Sequence, residues 1–274
     1  MADNVRIIKP TKGLFDINFK EVWNHRELLY FLAWKDVKVR YKQTILGASW
    51  AVVQPVLTMI VFSVIFGVLL NVPSEGVPYP IFAYSGLVLW IYFSSALTRS
   101  SSSLLSNSNL LSKVYFPRLI LPLSACLAGL VDYGIATIVL VGLMLYYNVA
   151  VTAWILLVLL LMPLAMMLAV GLGFWLSALS VKYRDVQHAL PFFVQMLLYA
   201  TPIIYPLSLV GGKYGWILEL NPLTGIVSAH RAAILGNVPV DFVALGFSAG
   251  VATVIFLAGI IYFKNYEKEF ADVI

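Results

Sequence analysis

A chain that hydrolysed ATP would need a glycine loop to cradle phosphate. The only Gly–Lys pair, Gly212–Lys213, is followed by Tyr214 rather than Ser or Thr, and Leu207 stands where the leading glycine belongs, so the Walker A pattern is absent. His25, His188 and His230 lie far apart with no ligand spacing around any of them, which leaves no metal site to propose. Cys126 is the single cysteine and reads as a small apolar packing residue. No Ser, His and acid share a depth that would suit a hydrolase. Asp185 with His188 is too thin a set for a membrane transferase. One acid stands out. Asp132 lies about 14 residues, or roughly 21 Å at helical rise, beyond Arg118 inside an apolar stretch. A lone acid gives no proton relay, so its expected role is helix packing through a hydrogen bond to a Ser, Thr or Tyr of a neighbouring helix.

These residues sit in a strongly apolar chain. Of 274 residues, 18 are Lys or Arg and 13 are Asp or Glu, so 11% are charged, where a soluble domain carries about 25%. Hydrophobic residues reach 61%, with mean hydropathy +0.90. A soluble fold, a disordered chain and a disulfide scaffold are all excluded. The expected class is an all-α membrane protein, a single domain over 1–274. Met1 to Thr11 is mixed and polar, so the first apolar segment is expected to act as its own membrane signal.

Charge-free stretches mark the spans, because a charge at the bilayer centre costs about 2.5–3.5 kcal/mol even on the lenient insertion scale. Six are expected, at about 47–70, 81–98, 118–147, 153–180, 189–207 and 242–263. Asn148, between Tyr146–Tyr147 and Thr152–Trp154, divides the long charge-free run into two of them. An even number puts both termini on one side. The leading segment, the connection holding Arg99, Lys113 and Arg118, the connection holding Lys182 and Arg184, and the tail then share that side. Only Lys213 and Arg231 lie opposite. The positive-inside rule makes the crowded side cytoplasmic. The formal charge of +5 is therefore topology, and nucleic acid is not an expected partner.

Two segments fit neither span nor simple loop. Asn24 and Glu27 have the spacing of a capping box and open a helix over 24–42. Tyr30, Trp34, Val37 and Tyr41 share one face, beside a basic stripe of Lys35, Lys38 and Lys42. This predicts a helix in the inner headgroup plane, serving as an anchor or as a docking element. The second segment, 215–236, is too polar to span, with Glu219, His230 and Arg231. Asn221–Pro222 is a helix start and Gly236–Asn237 a stop. One or two short helices dipping into the membrane, or one lying flat on it, satisfy this pattern. The serine-rich run from Arg99 to Lys113 and the stretch from Lys182 to His188 read as connections, the first with a short amphipathic helix around Leu104, Leu105, Leu110 and Leu111.

Four stretches, in order, resemble a known family. They are Arg40 to Trp50 leading to Gln54–Pro55, Val114 to Pro122, Tyr183-Arg184-Asp185, and Asn221-Pro222-Leu223 with Arg231. Together they resemble the permease subunit of type-2 ABC exporters of lipid-linked polysaccharide, the group serving O-antigen, capsule and teichoic-acid export. The likeness runs from about residue 25 to the C-terminus; residues 1–24 add something it does not place.

The resemblance implies a six-span half-transporter that homodimerises around a channel in a bacterial inner membrane. Two separate nucleotide-binding subunits would supply ATP and Mg, and this chain would hold no cofactor. The implied cargo is a polyprenyl-pyrophosphate bearing a glycan, moved outward. Arg40 and Lys42 would meet its pyrophosphate near the headgroup plane. Met59, Phe62 and Phe66 on span one, with Phe192, Met196 and Tyr199 on span five, would line the glycan path, though lipid contact also suits such rings. Arg99, Lys113, Tyr183, Arg184 and Asp185 would couple to the ATPase. The region of Glu219, Asn221, Pro222 and Arg231 would form an outer gate. Fold does not fix cargo, so another amphiphile or a drug is the alternative within transport. An ion-coupled carrier would need internal repeats, and none is detectable.

Overall fold

A computed structural model describes residues 19–42, 47–111, 113–210 and 215–267. The readings placed on Met1 to Thr11, on 43–46, on Gly212–Lys213 and on Lys268 lie outside them. Among the described residues all regular structure is helical. Helices α1 (Phe19–Asn24) and α2 (Arg26–Lys42) lead into α3 (Trp50–Phe62), which continues as a π-helical stretch, Ser63–Leu69. Then follow α4 (Tyr79–Ser106), the single turn α5 (Ser108–Leu111), α6 (Ile120–Tyr146), α7 (Val158–Lys182) and α8 (Asp185–Ala200). Short α9 (Gly215–Glu219) and α10 (Pro222–Leu235) precede the last helix, α11 (Phe242–Tyr266).

Among the described residues, five helical segments are long and apolar enough to cross a membrane: Gly47–Leu69, Tyr79–Ser106, Ile120–Tyr146, Ala153–Lys182 and Phe242–Tyr266. The stretch expected as a span at 189–207 is not among them. There α8 stops at Ala200, and Thr201 is extended at φ −108, ψ 135. Pro202 explains the break, since its ring excludes helical backbone from the residue before it. The carbonyls freed beyond the break are met by side chains. Tyr79 donates to Ile204 O (2.6 Å) and Arg231 to Ile203 O (2.8 Å). Irregular backbone inside an apolar bundle requires such partners.

The central helix is α4, with Ile81 to Leu89 wholly buried. It packs between α6 and α7 and also touches α3 and α10. It runs well past the expected end at 98, which corrects the reading of Arg99 as a loop residue. Ser100, Ser101 and Ser103 are buried, with Ser101 against Ser180 of α7 at 3.2 Å. Ser102 and Ser103 bond back to carbonyls of their own helix. Serines that return their hydroxyls to the preceding turn behave as small packing residues, so a polar run continues a buried helix. At the other face of α7, a Cβ on Gly259 of α11 would stand 2.3 Å from Gly171 O. The two backbones approach this closely because both residues are glycine.

The leading helices also differ from the sequence reading. His25 is a turn between α1 and α2; its N–H donates to Glu21 O and Val22 O, so Asn24 ends one helix instead of capping the next. Helix α2 packs on α6 through Leu32 and Val37, with Leu28 and Leu29 half-buried. Of the expected face, Val37 and Tyr41 turn inward while Tyr30 and Trp34 point outward, so the packed face is rotated from the expected one. Slim aliphatic side chains fit a neighbouring helix closely. The larger rings lie where they meet cations, Arg26 over Trp23 and Lys38 over Trp34, each at 5.8 Å.

Candidate functional site

Helix α2 docks with its C-terminal turn against the middle of α6. There Asp132 accepts from three groups on two other helices. The Arg40 guanidinium pairs with Oδ2, the Tyr41 hydroxyl donates to Oδ1, and Arg99 Nη2 of α4 lies 3.4 Å from Oδ2. The carboxylate side chain is 17% exposed, so few of its partners are water. Burial lowers the Arg40 guanidinium from its ordinary value, while Tyr41 and Asp36 favour its charged form. Arginine stays charged through any such shift. Two guanidinium groups on one carboxylate leave the cluster with a surplus positive charge. Arg99 Nη1 is buried and makes no hydrogen bond.

This cluster forms one end of a half-open cavity of about 760 Å³ lined by α2, α3, α4, α6 and α8. Gln54 and Thr58 of α3, Ser94, Ser95 and Thr98 of α4, and Gln195 of α8 add hydroxyls and amides to its wall. Trp50, Trp90 and Tyr133 add rings. A mixed wall of rings and neutral polar groups around a cationic end suits an anionic head on a polar or amphiphilic body.

The structure therefore joins residues that the sequence reading had assigned separately. Of the two residues expected at a headgroup contact, Arg40 lines the cavity; Lys42 is exposed and forms no part of its wall. Arg99, expected at the ATPase contact, is instead inside the cavity. Asp132 gains the tyrosine expected of a packing residue, together with two arginines. One signal was available. An acid and a base each placed in apolar sequence predict one another as partners.

The span-one stripe is corrected. Met59 is buried, and Phe62 and Phe66 pack half-buried against Tyr79, Phe82 and Ala83 of α4. Aromatic rings make the larger gain in the interior, so the cavity wall falls to Trp50, Ala51, Gln54, Pro55 and Thr58. Phe192, Met196 and Tyr199 form an exposed row on α8, on a different face from the cavity-lining Pro191, Val194, Gln195 and Leu198. Lys113, Tyr183 and Arg184 are exposed between helices, and Asp185 is exposed at the start of α8, at the end of the bundle where the basic residues gather.

At the opposite end, α10 is set into the bundle. Asn221 caps it by accepting from Leu223 N (3.1 Å) and donates to Thr201 Oγ1 (2.9 Å) beside the α8 break. Pro222 begins the helix, and Gly236 ends it at φ 64. Glu219, just before, is exposed. Sequence reasoning missed how deep α10 lies. His230 is wholly buried, with Nδ1 3.0 Å from Ser85 O and Nε2 3.1 Å from the Tyr133 hydroxyl. A carbonyl can only accept, so Nδ1 carries the proton and Nε2 accepts from Tyr133. Arg231 stacks over Phe82 with its guanidinium carbon 3.9 Å from the ring centre.

Among the described residues no cluster of His, Cys, Asp and Glu suits a metal ion. Residues 27–235 match the ABC-2 type transporter family, and the chain belongs to it. Within that family it is similar to polysaccharide-export permeases. It is 29% identical over 261 residues to the O-antigen export system permease protein RfbA of Myxococcus xanthus, covering 92% of this chain and 97% of that protein. An RfbA of Klebsiella pneumoniae is 26% identical, with 90% and 95% covered. The polysialic acid transport protein KpsM of Escherichia coli is 25% identical, with 85% and 91% covered.

Proposed function

We propose that this chain is the membrane-spanning half of an ATP-driven exporter that carries a polyprenyl-pyrophosphate-linked polysaccharide from the cytoplasmic to the outer side of a bacterial inner membrane. Two copies form the conduit, and two separate ATPase subunits drive it. Helix α8 with its broken continuation makes a sixth crossing, so that both termini are cytoplasmic. The observation that carries this reading is the pairing of Arg40 and Arg99 at the end of a polar-walled cavity. Paired guanidinium groups suit phosphate oxygens. The similarity to permeases named for O-antigen and polysialic acid supports a glycan as the rest of the cargo.

The exposed turns holding Lys113 and Tyr183 to Asp185 then meet the ATPase. The row of Phe192, Met196 and Tyr199 faces the partner copy across the glycan path, where ring faces stack on sugars. Helix α10, with Glu219, Asn221, Pro222 and Arg231 at or near its ends and core contacts, gates the outer exit.

The test is transport in proteoliposomes that hold the chain and its cognate ATPase. ATP-dependent appearance of the lipid-linked glycan in the outer leaflet is expected, and the Arg40→Gln, Arg99→Gln double variant should abolish it. ATP hydrolysis by the purified chain alone, or transport undiminished in the double variant, would refute the reading.

A further inference from the structure

Asp132 occupies the place that the proposed reading gives to phosphate. Its Oδ2 meets both guanidinium groups, Arg40 and Arg99, that the reading gives to phosphate, while Tyr41 holds Oδ1 in place, at the end of a cavity with room for a ligand. The geometry points to Asp132 as an internal stand-in for the phosphate, which an arriving pyrophosphate displaces and which closes the site again on release. This rests on the pyrophosphate reading and adds to it a carboxylate that sets how tightly the head is held.

Two half-buried guanidinium groups with no anion between them would repel each other and lack hydrogen-bond acceptors, so the empty cavity needs a carboxylate. With Asp132 in place, the cluster keeps one surplus positive charge, and Arg99 Nη1 makes no hydrogen bond. That is enough to attract an anion. An entering phosphate then makes bidentate, charge-assisted bonds to both arginines in place of the carboxylate. Its affinity is lowered by the competition, since part of the gain is spent separating Asp132 from its partners. A transporter must release what it binds, and a carboxylate that reclaims both arginines favours release. Removing its charge therefore makes binding tighter. A residue whose role was packing alone would give the opposite sign.

The test is titration calorimetry on the full-length chain in zwitterionic lipid nanodiscs. Farnesyl pyrophosphate, inorganic pyrophosphate and farnesol are the probes. Wild type is expected to bind farnesyl pyrophosphate, Arg99→Gln to bind it at least about tenfold more weakly, and Asp132→Asn at least about tenfold more tightly. Tyr41→Phe, which loosens Asp132 without altering charge, should tighten binding by a smaller factor and serves if Asp132→Asn does not fold. Farnesol should not respond to either change. Tightening for both pyrophosphates supports the stand-in with charge alone being read; tightening confined to the prenyl compound supports it with a lipid as the source. If wild type binds and Asp132→Asn binds equally or more weakly, the stand-in is refuted while the pyrophosphate reading survives. Equal tightening for farnesol also refutes it. If neither wild type nor Asp132→Asn binds any pyrophosphate, both fall together.

Discussion

Arg231 of α10 donates from Nη2 to the carbonyl of Ile203, 2.8 Å away, just beyond the point where α8 has broken. The bond ties α10 to the interrupted α8, and the flat guanidinium also lies over Phe82. Replacing it with Met keeps the length and removes both contacts. The variant should lose about 2 kcal/mol or more, because the Ile203 carbonyl is left without its charged donor. Arg231→Lys should not recover the loss, since an ammonium reproduces neither the fork nor the stack. Chemical denaturation in detergent measures both; unchanged stability in the Met variant would contradict the tie.

A double-mutant cycle should reveal the Arg99–Asp132 pair. Arg99→Gln and Asp132→Asn are each expected to destabilise the chain. Together they should cost less than their sum by about 1 kcal/mol, a modest figure because both side chains keep some water contact. A cycle that closes on zero would show that the two residues act separately.

Gly259 allows α11 to press against α7. Any side chain there meets Gly171 O at 2.3 Å, and a backbone atom cannot rotate away. Gly259→Ala should therefore cost about 1–3 kcal/mol, as overpacking does. Gly250, with nothing within 4 Å of a built Cβ on the same helix, should accept alanine without loss. Thermal unfolding of the two variants side by side makes the comparison.

Cysteine labelling distinguishes the two faces of span one. Gln54→Cys and Thr58→Cys lie on the cavity wall and should react with a water-borne maleimide at least about tenfold faster than Phe62→Cys or Phe66→Cys, because reaction needs a hydrated thiolate. Cys126 is fully buried and should stay silent. Equal labelling at all four positions would contradict the packing of Phe62 and Phe66 against α4.

The five long apolar segments were legible from charge-free runs, because a bilayer penalises charge at every position along a span. The bounds of α10 were legible too, since Asn221, Pro222 and Gly236 each act on backbone within a turn of themselves. What the sequence did not disclose depends on the third dimension. The length of α4 turns on serines that fold back on their own helix, and the deep seat of α10 on partners at Ser85 and Tyr133, 145 and 97 residues away. The charged cavity was present in pieces. Arg40, Arg99 and Asp132 had all been singled out, and only packing shows that α2, α4 and α6 bring them together. Periodicity found an aromatic stripe on span one and could not tell an inward face from a lining one.

Asp132 and Tyr133 are consecutive on α6, yet they serve different neighbours: the first holds α2 and α4, the second holds α10 through His230. Consecutive side chains stand about 100° apart around a helix, and a helix that turns about its axis carries both with it. A twist that swings the carboxylate away from the arginines thus carries the phenol off the imidazole in the same motion. Whatever turns α6 on its axis is therefore felt by both sets of neighbours at once.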